Sequence, residues 1–162
     1  MNPIISKSAF SALLLSFVFT GCQTTQEPVM TPLEIQSMQT RSYTGTQNLV
    51  FRSVVSVFQD LGYTIKSADI STGFIQADGT AKSNESLKFW TGYTQTTQTK
   101  ATAFVEQLGA KTQVRLNFVT TKESSTMYGA DDRKETPILN AQIYQNAFER
   151  IENAIFIRQS SN

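Results

Sequence analysis

From Thr112 to Thr121 the chain alternates without a fault, with Val114, Leu116 and Phe118 on one side and Gln113, Arg115 and Asn117 on the other. Side chains of a strand point to opposite faces in turn, so this segment can bury one face only. Thr99 to Gln107 repeats the pattern with Ala101, Ala103 and Val105 inward, and Leu108-Gly109-Ala110-Lys111 supplies a turn between the two. A hairpin with one wet face results, and its dry face must be covered by something else in the chain.

Two segments carry the stripe that would cover it. In residues 46–61, Val50, Phe51, Val54, Val55, Phe58 and Leu61 recur at helical spacing, while Arg52, Ser53, Ser56, Gln59 and Asp60 fall on the other side. Thr46 suits the N-cap, and Gly62 suits the left-handed position that closes a helix. The second stripe begins near Pro137 or Asn140 and runs to about Ile157, through Ile143, Tyr144, Ala147, Phe148, Ile151, Ala154 and Ile155. Three further strands are expected at 38–44, 63–69 and 72–82, with a tight turn at Ile70-Ser71-Thr72-Gly73. Residues 83–98 have no strong period, and a polar loop carries Gly129-Ala130-Asp131-Asp132. The fold class is therefore α+β: a four- to five-stranded antiparallel sheet in the order β-α-β-β-β-β-α, with two amphipathic helices on one face.

Ahead of this domain, an apolar run from about Ala9 to Thr20 follows Lys7 and ends in Thr20-Gly21-Cys22. It is roughly a dozen residues long, and a bilayer span needs about 20. A positive start, a short apolar stretch and a small residue at the cut are the marks of a secretory signal. Ordinary cleavage wants small residues one and three positions before the cut, and Phe19 fails the second requirement. Phe19, Thr20, Gly21 and Cys22 resemble the lipobox of bacterial lipoproteins, with Phe19 where leucine is usual. The resemblance implies removal of residues 1–21 as a signal peptide and acylation of Cys22 by chains of the palmitate kind. The alternative is a plain signal with a chance cysteine at its end, although Cys22 is the only cysteine of the chain. Gln23 stands where an aspartate would retain such a protein in the inner membrane. The implied location is the outer membrane, facing the periplasm.

Residues 22–38 are polar with prolines at 28 and 32, and read as the lipidated cysteine followed by a flexible tether. Sixteen such residues would span roughly 20–25 Å. Leu33, Ile35 and Met38 offer the alternative of docking on the domain, which occupies residues 39–158.

Composition removes several function classes. Lys7 is the only charged side chain before Cys22, so 13 of the 14 basic side chains remain beside 13 acidic ones. A near-neutral domain has no basic excess to hold phosphates, and nucleic acid is not an expected partner. The chain has no histidine, which removes His-dependent triads, His-held zinc and the commonest general base. No cofactor and no enzymatic activity are expected. Asp60, Asp69 and Asp78 occupy a helix end, a turn and a pre-glycine position, where aspartate serves the backbone. Asp131 and Asp132 with Glu135 lack the spacing of a calcium loop, so no metal is expected.

Asp60-Leu61-Gly62-Tyr63-Thr64-Ile65, then Asp69 to Gly73-Phe74-Ile75, with Tyr144-Gln145-Asn146-Ala147-Phe148 and Ile155-Phe156-Ile157 at the end, carry a resemblance. An amphipathic helix ends in "LGY" and a D-x-x-x-G-x-I turn opens the next strand. This is similar to uncharacterised small Gram-negative envelope lipoproteins with a helix-grip-like domain, and distantly to the lipoprotein C subunit of the outer-membrane β-barrel assembly machinery. The resemblance implies an α+β module acting through envelope proteins; it supplies no catalytic or ligand-binding residue.

Two places suit contact with a partner protein or a membrane. One is the aromatic group Phe89, Trp90 and Tyr93, which either makes such a contact or folds back over the open end of the core. The other is the wet sheet face with Arg115 and Asn117. The expected role is a lipid-anchored, non-catalytic lipoprotein that binds the bilayer through Cys22 and unidentified envelope proteins through its domain. The alternative is a small-molecule or lipid carrier with a pocket between helices and sheet.

Overall fold

The computed structural model describes residues 30–84, 93–125 and 131–161. Their order is α1 (Pro32–Gln39), β1 (Thr40–Thr44), α2 (Gln47–Asp60), β2 (Thr64–Asp69), β3 (Phe74–Asp78), β4 (Lys82–Ser83), β5 (Thr94–Leu108), β6 (Lys111–Ser125), β7 (Asp131–Pro137) and α3 (Ala141–Ser160). The fold is α+β, with a seven-stranded antiparallel sheet and three helices among the described residues. The expected four to five strands and two helices fall short of this, for reasons that lie in particular segments.

β5 and β6 form one hairpin, paired without interruption from Thr94↔Ser125 to Leu108↔Lys111. Fifteen residues at about 3.3 Å each make it roughly 50 Å long. It serves two sheets' worth of neighbours in succession. Along its turn half the order is β1-β6-β5-β3-β2; along its open half β7 lies on β6 and β4 on β5. β7 is the strand read as a polar loop. Its residues from Asp132 to Pro137 are all exposed, so it carries no hydrophobic alternation, and its backbone pairs with β6 all the same. β4 is two residues long, because the segment read as one strand to Lys82 breaks after Asp78.

The inner face is as the alternation requires. Ala101, Ala103 and Val105 on β5, Val114, Leu116 and Phe118 on β6, and Ile75 and Ala77 on β3 are all buried. Against them lie Val50, Phe51, Val54, Val57 and Phe58 of α2, with Tyr144, Ala147, Phe148, Ile151 and Ile155 of α3. Ile143, expected inward, is 41% exposed, at the first turn of α3 where the stripe has not yet reached the sheet.

α2 begins at Thr46, whose side chain accepts the Leu49 N–H, and ends as its glycine requires. Gly62 has φ +84°, its N–H bonds to the Gln59 carbonyl, and the Tyr63 N–H reaches back to the Phe58 carbonyl at 2.9 Å. This pair of bonds satisfies carbonyls the helix would otherwise leave open. Gly73 is required more strictly still. It has φ +73°, and a Cβ there would lie 2.1 Å from the Val105 carbonyl oxygen.

α1 occupies residues read as tether. Thr31 caps it, accepting the Glu34 N–H at 3.3 Å, while the Glu34 carboxylate accepts the Thr31 N–H at 2.7 Å, and Pro32 takes the first helical position. This reciprocal box makes a polar segment helical with little burial behind it. On β2 the register shifts between Ile65 and Ser67. Ile65 therefore faces inward beside Ala77, whereas Ser67 turns outward beside Gln76, although strict alternation puts the two on one face.

β6 has a gap along its free edge. β1 covers it up to Arg115, and β7 begins at Val119. The Phe118 peptide falls between the two. Its N–H donates to the buried Tyr144 hydroxyl at 3.3 Å, and its carbonyl accepts the Ile138 N–H at 2.9 Å. The Gln39 amide donates to the same hydroxyl at 3.4 Å. α3 thus completes the sheet at the point where no strand does, and the Tyr144 ring packs edge-on to Phe118 at 5.2 Å. A Tyr144→Phe variant should leave the Phe118 N–H buried without an acceptor and lose about 1–3 kcal/mol of stability. Urea unfolding measures it, and an unchanged midpoint would show that the hydroxyl satisfies nothing essential.

Candidate interaction surface

The outer face of the sheet is built by the residues that alternate with the core. Across the five strands of the turn half, the register sets Thr40, Arg115, Phe104, Phe74 and Asp69 side by side. Phe74 is 40% exposed and Phe104 42%, with no helix of the described residues over them. Arg115 is exposed beside Phe104, and among the described residues it has no hydrogen-bond or ion-pair partner. Asp69 turns part of its carboxylate to the loop, accepting the Ser71 N–H at 2.8 Å and the Ser71 hydroxyl at 2.6 Å. The hydroxyl bond, first, and the N–H hold its pKa below the ordinary value of 3.8, so Asp69 is a carboxylate at neutral pH. A shallow groove of about 250 Å³ runs over Phe74, Thr102, Phe104, Arg115 and Asn117, closed at one end by Gln39. Asn117 is half-buried there and accepts a hydrogen bond from the Gln39 amide at 3.4 Å.

The expected site residues thus fare differently. Arg115 and Asn117 lie together on the outer face, three strands' breadth from its far edge. Tyr93 is half-buried just before β5. Phe19, Thr20, Gly21, Cys22, Phe89 and Trp90 lie outside the described residues, as does the leader as a whole. Phe74 and Phe104 are the residues that sequence reasoning passed over as parts of the contact surface. Their signal was present, for each interrupts the polar side of an alternating strand.

The acidic side chains of the described residues are dispersed in the fold. Asp69 and Asp78 stand at opposite ends of the β2–β3 pair, and Asp78 lies 4.0 Å from the Lys66 ammonium. Asp132 and Glu135 fall on opposite faces of β7. Glu135 instead joins a chain of charges on the outer side of the open half: Glu123 to Arg133 at 3.6 Å, Arg133 to Glu135 at 2.7 Å, and Glu135 to Lys100 at 3.8 Å. No group of three or more acidic, Cys or His side chains is placed to hold a metal ion among the described residues. The layer between helices and inner face, where a carrier would hold its cargo, is occupied by Phe58, Phe118, Tyr144, Phe148 and Ile75, each at most 2% exposed.

No helix among the described residues is long and apolar enough to cross a membrane. No protein-family model matches the chain, and no curated protein matches its sequence.

The hydrogen bond from Arg133 holds the Glu135 pKa below 4.5. A carboxylate with a depressed folded-state pKa contributes stability that is full above the unfolded value and is lost as pH falls through the folded one. In an Arg133→Ala variant the Glu135 carboxyl should titrate closer to 4.5, as NMR of the side-chain carboxyl would record. An unmoved titration would mean that Arg133 does not hold it.

Proposed function

We propose that this is a lipid-anchored, non-catalytic lipoprotein of the bacterial envelope, held at the outer membrane through acylated Cys22 and working in the periplasm by protein–protein contact. The observation that carries the reading is the apolar run that stops at Thr20-Gly21-Cys22. It is too short for a permanent span, and it ends in a residue that can take a hydrocarbon anchor. A diacylated end buries some thirty methylenes at about 0.8 kcal/mol each, which makes release from the bilayer very slow.

Two features of the domain support the second half of the reading. Its interior is filled with apolar side chains rather than opened into a cleft. Its open sheet face presents two aromatic rings next to an exposed guanidinium, the mixture that protein contacts favour. Kinship with the helix-grip-like envelope lipoproteins, and with the assembly-machinery subunit, belongs to the same proposal.

Metabolic labelling with an alkyne fatty acid tests the anchor on the full chain. The wild-type protein should take up label and a Cys22→Ser variant should take up none. A wild-type protein without label would overturn the reading.

A further inference from the structure

The geometry points to a second copy of this chain as the partner of the outer face. The row Arg115, Phe104, Phe74, Asp69 reads positive, apolar, apolar, negative across four adjacent strands. Such a row is complementary to its own reverse. A two-fold axis parallel to the strands and midway between β5 and β3 would lay Phe104 over Phe74 of the second copy. The same axis sets Arg115 over the second copy's Asp69, at both ends at once. An axis along the row would instead set Arg115 on Arg115, so the charges select the first arrangement and reject the other. The contact is isologous and therefore closes at two copies.

Each side has what such a contact needs. Adjacent strands are about 4.8 Å apart, so Arg115 and Asp69 stand roughly 14 Å from each other and span both rings. Sheets of two copies packed face to face lie about 10 Å apart with strands within about 30° of alignment, which the outer side chains can fill. The groove over Phe74, Thr102 and Phe104 gives the opposing rings a place to enter. Among the described residues exposed Arg115 has no partner of its own, so pairing breaks no bond seen there, and Asp69 keeps its negative charge while bonded to Ser71. Five strands of about five residues present roughly 400 Å² per copy. A stable interface takes about 800 Å² per partner, so the dimer is a weak one that forms where copies are concentrated.

The inference rests on the outer face being a contact surface and not on the anchor. The test uses the full chain in living cells, with a photo-crosslinking amino acid in place of Thr102, which would lie over Gln76 of the second copy. The expected product has twice the mass of the processed chain in the same cells. A probe in place of Glu149, on the exposed side of α3, should give none. Arg115→Glu should reduce the yield about fivefold or more, and Arg115→Glu with Asp69→Arg should restore it. Phe104→Ser should reduce it without touching the Asp69 turn, and melting curves confirm that each variant folds. A product with a different envelope protein alone would overturn the dimer and leave the contact reading of the face standing. No product from Thr102 would overturn both.

Discussion

Everything in this fold is registered on the β5–β6 hairpin. Its fifteen uninterrupted pairs fix which side chains share a face, and β3 cannot shift by one residue against it without carrying Ile75 and Ala77 into water. β1, β3, β4 and β7 all take their positions from it, and only β2 pairs elsewhere, with β3. The hairpin's turn half has Val114, Leu116 and Phe118 facing α2 and α3 and so carries the core. Its open half is paired on both sides yet is half-buried at most positions and lined by charges.

The join between the halves is the structurally demanding point. At Phe118 one neighbouring strand has ended and the next has not begun, and a buried peptide without a partner is expensive. Tyr144 meets that need from a helix, and Gln39 reaches it from the C-terminal end of α1. The capped α1 therefore has a structural reason to exist that its own weak amphipathicity does not supply. Phe58, Tyr63 and Phe118 cluster at this same end, their ring centres 5.9–6.3 Å apart. Aromatic packing thus reinforces the place where strand pairing is interrupted.

How much of this the sequence disclosed depends on whether burial was involved. The two helices with apolar stripes, the hairpin and the glycine that closes α2 were legible, because each leaves a periodic or conformational mark. Asp69 and Gly73 were legible as a turn for the same reason. β7 was not, since Asp131 to Pro137 pair through their backbone and bury no apolar side chain. α1 was hidden because its stability comes from Thr31, Pro32 and Glu34 rather than from a stripe. The β2 bulge at Ile65–Ser67 left no trace in the residues at all. On the outer face, Arg115 and Asn117 were readable as exposed, but only the register shows that Arg115 stands in one row with Phe104, Phe74 and Asp69.

One hairpin does two things: its turn half belongs to the cooperative core and its open half does not. Native-state hydrogen exchange resolved residue by residue measures this directly. Amides of Ala101, Ala103, Val105, Val114 and Leu116 should exchange only through global unfolding, whereas those of Thr94–Thr97 and Lys122–Ser125 should exchange through smaller openings, at least tenfold faster. Equal protection along all fifteen pairs would contradict the account.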